Sequence, residues 1–75
     1  MKLDEFVQLF ADEMTETPLG TITADTRYKE LDEWGSLASL SIISMIDEEY
    51  GHLISGADVR SRNTVKELYE FVESL

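Results

Sequence analysis

The chain contains no cysteine, one histidine and only six basic residues among its 75. Without cysteine there is no disulfide framework, no thiolate zinc site and no cysteine nucleophile. His52 has no second histidine or cysteine to join it and follows a helix-ending glycine, so it reads as a surface residue rather than a metal ligand or general base. Six Lys and Arg against sixteen Asp and Glu leave a net charge of −10. That disfavours the phosphate backbone of nucleic acids and anionic membranes, and makes basic proteins the natural partners. No GxGxxG or P-loop is present. The acids Asp25, Glu30, Asp32 and Glu33 cluster, but without the spacing, central glycine and terminal glutamate of an EF-hand loop. No apolar run resembles a signal peptide or reaches the length of a membrane span. No segment alternates like a strand and no repeat is found, so a sheet or a repeat array is not expected.

What is present fits one small helical domain spanning 1–75, with a radius of gyration of roughly 11 Å if compact. It is too short for a catalytic cleft between two subdomains, and 43% apolar residues supply one modest core. The expectation is a soluble, acidic, cytoplasmic protein. Leu3, Phe6, Val7, Phe10 and Met14 fall on one face of a first helix, with Asp4 and Glu5 at its positive end. Thr15, Thr17, Pro18 and Gly20 end it. About twenty residues without a strong period then run to Gly35, a length that needs internal anchors. Ile22, Tyr28, Leu31 and Trp34 are the side chains suited to that.

A second helix is expected to start at Ser36 as N-cap, with a stripe of Leu37, Leu40, Ile43, Ile46 and Tyr50. Ile42 and Met45 widen that stripe beyond one core face. Gly51 takes the C′ position. Ser55-Gly56-Ala57-Asp58 caps one short helical turn through Arg60, and Thr64-Val65-Lys66-Glu67 opens the last helix as a capping box. Val65, Leu68, Tyr69, Val72 and Leu75 share its apolar face. Three longer helices and one short one, with a long first loop, make an all-α four-helix bundle.

Two features carry functional weight. Asp47-Glu48-Glu49 lies in the last turn of the second helix, where each negative charge opposes the dipole by about 0.3–1 kcal/mol. The run is either a solvated face or a surface for basic partners. Ser36 is either a capping serine or a hydroxyl open to modification, since a phosphate there would meet free N–H groups at the helix start.

The stretch Ala24-Asp25-Thr26-Arg27-Tyr28-Lys29-Glu30-Leu31-Asp32-Glu33-Trp34-Gly35-Ser36-Leu37 resembles the loop and attachment site of acyl carrier proteins. Ile42-Ile43-Ser44-Met45-Ile46-Asp47-Glu48-Glu49-Tyr50-Gly51 is similar to that family's second helix, and Asn63-Thr64-Val65-Lys66-Glu67-Leu68 to the start of its fourth. The motifs are short, and their joint spacing over the whole chain is the specific part. The resemblance implies a carrier rather than an enzyme. Ser36 would bear a 4′-phosphopantetheine arm, transferred from coenzyme A by a Mg²⁺-dependent transferase, with Gly35 and Leu37 flanking the attachment. The arm's thiol would hold acyl or aminoacyl groups as thioesters for fatty-acid, polyketide or related biosynthetic enzymes, and its tether would raise their effective concentration there. Leu37, Leu40, Met45, Asp47, Glu48 and Glu49 would dock basic partners, although Leu37, Leu40 and Met45 could each turn into the core instead. By similarity, Ile54, Ala57 and Val59 would line an acyl groove.

The sequence departs from the family at Gly35, where aspartate is usual and helps the transferase engage; Asp32 and Glu33 are the nearby acids able to substitute. Ala38 and Ser41 also stand where acids are common, which suggests a dedicated set of partners. The alternative is a small acidic helical binding or docking module that is never phosphopantetheinylated. Self-repulsion at a net charge of −10 favours a monomer. It also predicts a thermal midpoint that rises with added salt or divalent cations; a midpoint flat across ionic strength would refute this.

Overall fold

The computed structural model describes residues 2–18 and 20–75, and every regular element among them is helical. The order is α1 (Leu3–Glu13), a 3₁₀ turn (Tyr28–Glu30), α2 (Ser36–Tyr50), α3 (Gly56–Arg60) and α4 (Val65–Glu73). Helix α1 packs on α2 and α4, and α3 on α2. The radius of gyration is 10.9 Å. Among the described residues, no helix is long and apolar enough to cross a membrane.

Helix α1 presents Phe6 and Phe10 to the core, with Met14 just beyond its end and Leu3 and Val7 at the margin. Phe6 meets Tyr50 of α2 at 5.8 Å and Tyr69 of α4 at 5.6 Å between ring centroids, so one ring ties three helices together. Such tilted aromatic pairs add to the burial itself.

Helix α2 is rotated from its expected stripe. Ile42, Met45 and Ile46 are buried and Ala38 is half-buried, whereas Leu37 is 80% and Leu40 61% exposed. The reason is geometric. A spacing of three falls about 60° short of a full turn, so Leu37, Leu40, Ile43 and Ile46 wind around the helix instead of sharing a face. Ile42, Met45 and Ile46, at i, i+3 and i+4, do share one. Met45 is therefore a core residue, 5% exposed, rather than part of the outer surface on which docking was expected. The helix closes at Gly51, whose φ of 71° is the left-handed conformation and whose N–H reaches the Asp47 carbonyl.

Both expected capping boxes form. Ser55 and Asp58 cap α3 reciprocally, and Thr64 and Glu67 cap α4. The loop completes the second cap. Val65 N–H donates to the Thr26 carbonyl at 3.1 Å, Lys66 N–H to Ala24 at 2.9 Å, and Glu67 N–H to Thr64 Oγ1 at 3.1 Å. The first N–H groups of α4 are thus consumed, as a buried helix end requires. Leu75 lies outside the packed face and is 54% exposed.

Glu67 accepts from the N–H groups of Asn63 and Thr64. These bonds hold its carboxyl below the usual glutamate range against the opposing effect of desolvation, with Arg27 and Arg62 adding lesser help. A carboxyl depressed in the folded state stabilises above its unfolded pKa, and the contribution is lost as pH falls through the folded value. Glu67→Gln should therefore be less stable than the parent at neutral pH, with the gap narrowing below the ordinary glutamate pKa. Thermal melts of both proteins across pH check this, and a pH-independent gap would contradict it.

Candidate functional site

The long first connection is anchored by the four expected side chains. Tyr28 and Ile22 are buried, and Leu31 and Trp34 pack against the core. Trp34 stacks on Phe10 at 6.4 Å with an interplanar angle of 8° and meets the edge of Tyr28 at 5.0 Å. The backbone N–H of Trp34 donates to the Leu31 carbonyl. The segment is thereby fixed two residues before Ser36.

Gly35, not Ser36, is the N-cap of α2; Ser36 is the first helical residue. Helical bonding begins with Ser39 N–H on the Gly35 carbonyl at 2.9 Å. An extended φ of 176° lets Gly35 hand the chain into the helix, and without a side chain it offers no capping bond. The leading N–H groups of α2 are consequently left to solvent or to a ligand, unlike those of α4. The Ser36 side chain is exposed.

Of the two nearby acids, Glu33 is engaged elsewhere. Glu33 turns back toward the end of α1, where its carboxylate accepts from the Thr17 hydroxyl and, at 3.4 Å, from Glu16 N–H. Asp32 is exposed. Position 35 itself has room, because a Cβ placed there meets nothing within 4 Å and the backbone is one any residue adopts. Gly35→Asp should therefore fold as the parent does and add a capping carboxylate at the α2 N-terminus, raising the thermal midpoint by the equivalent of a few tenths of a kcal/mol. A lowered midpoint would show that the site is less open than its geometry implies.

Ser36 sits at the rim of a groove of about 360 Å³ lined by Trp34, Gly35, Ser39, Leu40, Ile43, Gly56 and Arg60. None of the residues expected to line an acyl groove, Ile54, Ala57 and Val59, lines this one. Ile54 and Val59 are in the core and Ala57 is exposed. In the single turn of α3, Val59 faces inward, and Gly56 and Arg60, four residues apart, share the side toward α2. The pair was visible in the sequence as the i, i+4 spacing of a capped turn, but which side of so short a turn faces α2 is a tertiary fact.

Leu37, Leu40, Ser44, Asp47 and Glu48 form a continuous exposed stripe on the outer face of α2, apolar near Ser36 and acidic at the far end. Glu49 is exposed on the flank facing α1. His52 is half-buried beyond Gly51. Among the described residues, no group of three or more His, Asp or Glu side chains is placed to hold a metal ion.

No protein-family model matches the chain, and no curated protein or solved structure is found similar to it.

Proposed function

We propose that this protein is an acyl carrier. Ser36 would be esterified with 4′-phosphopantetheine, and the terminal thiol would hold acyl or aminoacyl groups as thioesters for delivery to partner enzymes. The observation that carries the reading is the placement of Ser36. Its hydroxyl is exposed at the uncapped start of α2, the preceding loop is anchored to the core through Trp34, and a groove opens beside it. A transferase can reach such a hydroxyl, and the phosphate it leaves would meet free N–H groups and the positive end of the helix. The outer stripe of α2 offers partners two exposed leucines beside the attachment point and Asp47 and Glu48 beyond them. A basic surface with an apolar recess is its complement. The chain in this reading is a substrate and a carrier, not a catalyst.

The test is intact mass after incubation with coenzyme A, Mg²⁺ and a broad-specificity phosphopantetheinyl transferase. One phosphopantetheine per chain is the expected result. A specific observation favours a second reading, a docking module that is never modified: position 35 has no carboxylate and Glu33 is engaged elsewhere. The same experiment on Gly35→Asp separates the two. Modification restored by aspartate marks a partner-restricted carrier, and a bare chain in both proteins marks the docking module.

A further inference from the structure

We infer that Arg60 is a positioning residue for the arm carried on Ser36, pairing its guanidinium with the phosphodiester and laying the arm along the groove between α2 and α3. The inference rests on the Ser36 reading above. Arg60 lines the same groove as Gly35 and Ser36 and is the cation that does so. Its placement is supported by a notch in its own helix. A Cβ at Gly56 would stand 3.1 Å from Nη1 and 3.9 Å from Cζ, so glycine leaves the space in which the guanidinium rests. One turn of helix thus supplies both the cation and the gap that receives it.

The guanidinium is also unspent. The chain has sixteen acidic residues, yet among the described residues the ion pair is Arg27 with Glu30 at 4.0 Å, and no carboxylate engages Arg60. Arg62 lies over the Phe71 ring at 4.7 Å. Lys29 donates to the Arg60 carbonyl at 2.7 Å, which brings a second positive charge to the same turn. A cation left unpaired in so acidic a chain, on the wall of the groove that Ser36 opens into, suits an oxyanion that arrives with the modification. The fork of the guanidinium matches two phosphate oxygens, which an ammonium cannot do. The pair would be solvent-accessible, so it would bias the arm toward the groove by up to roughly fivefold and weaken as salt screens it.

The experiment compares the unmodified and phosphopantetheinylated full chain by NMR of the arginine Nε–Hε groups, after mass has confirmed loading. Loading should shift the Arg60 signal and leave those of Arg27 and Arg62 in place, and raised ionic strength should reverse the shift. Arg60→Gln should make the arm's resonances more mobile without changing the fold, and Arg60→Lys should recover part of the restraint. An unmoved Arg60 signal with equal arm mobility in Arg60→Gln overturns the inference. Butyryl and succinyl thioesters on the arm form the second comparison. A shift that arises only with succinyl assigns the guanidinium to a carboxylate on the cargo and also overturns it. Absence of any mass gain in both the wild type and Gly35→Asp removes the Ser36 reading itself, an outcome read before Arg60 is observed.

Discussion

Ser36→Ala is expected to abolish phosphopantetheine uptake completely while leaving the fold and its thermal midpoint unchanged within the equivalent of about 0.5 kcal/mol. The two halves of this expectation have separate causes. The hydroxyl is the only nucleophile that the reading assigns to the transferase reaction, so nothing substitutes for it. The side chain is exposed and is not the cap of α2, which begins from Gly35. Its removal therefore leaves no buried group unpaired, and alanine is the best of the helix formers at the position gained. Intact mass and a thermal melt on the same sample measure both. A mass gain that survives the substitution would move the attachment to another hydroxyl, with Ser39 on the same groove as the first place to look. A loss of uptake accompanied by a collapsed midpoint would say that Ser36 is structural. A docking module that works unmodified should keep its partner through this substitution, whereas a carrier should lose all function with its fold intact.

The parts of this architecture that sequence reveals are those set by neighbours along the chain. The reciprocal bonds of Ser55 with Asp58 and of Thr64 with Glu67 span three residues, and Gly51 satisfies a local left-handed turn, so each was legible as a motif. The apolar side chains of the first loop were legible as anchors because nothing else justifies them in a long polar connection. Helix α2 shows where legibility ends. It is apolar on more than one side, so its pattern allows several rotations, and the choice was made by Phe6 and the other residues that pack against Ile42, Met45 and Ile46. That choice moved Met45 inward and left Leu37 and Leu40 outside, which redraws the surface offered to a partner. The groove followed the same logic, since Gly56 and Arg60 acquire meaning only when α3 is laid on α2. The engagement of Glu33 by Thr17 joins residues sixteen apart, and no local pattern announces it.

Tyr28 is where the largest loss of stability is expected. Its ring is fully buried against Phe10 at 5.5 Å and Trp34 at 5.0 Å, and its hydroxyl donates to the carbonyls of Val59 and Arg62. One side chain therefore holds the first loop to the end of α3 and the entry of α4, while supporting the tryptophan that fixes the approach to Ser36. Tyr28→Phe keeps the ring and strips both carbonyls of their donor, a loss of about 1–3 kcal/mol. In a domain of this size each kcal/mol lowers the midpoint by roughly 4–8 °C. Tyr28→Ala removes the ring as well, at about 3–5 kcal/mol for a buried aromatic, which rivals the whole stability of a small domain and should leave the chain largely unfolded. The alkaline side gives an independent check. Burial, reinforced by Glu67 and opposed by Arg62, pushes the Tyr28 hydroxyl up to about 12. Unfolded tyrosine loses its proton near 10, so between these values the unfolded state binds fewer protons and stability falls as pH rises. Tyr50 and Tyr69 are also raised and contribute to the same decline, so the informative quantity is the difference between the parent and Tyr28→Phe. That difference should be full at neutral pH and shrink above pH 10, because the variant lacks the group that titrates. A phenylalanine variant as stable as the parent at neutral pH would show that the loop is held by the ring alone.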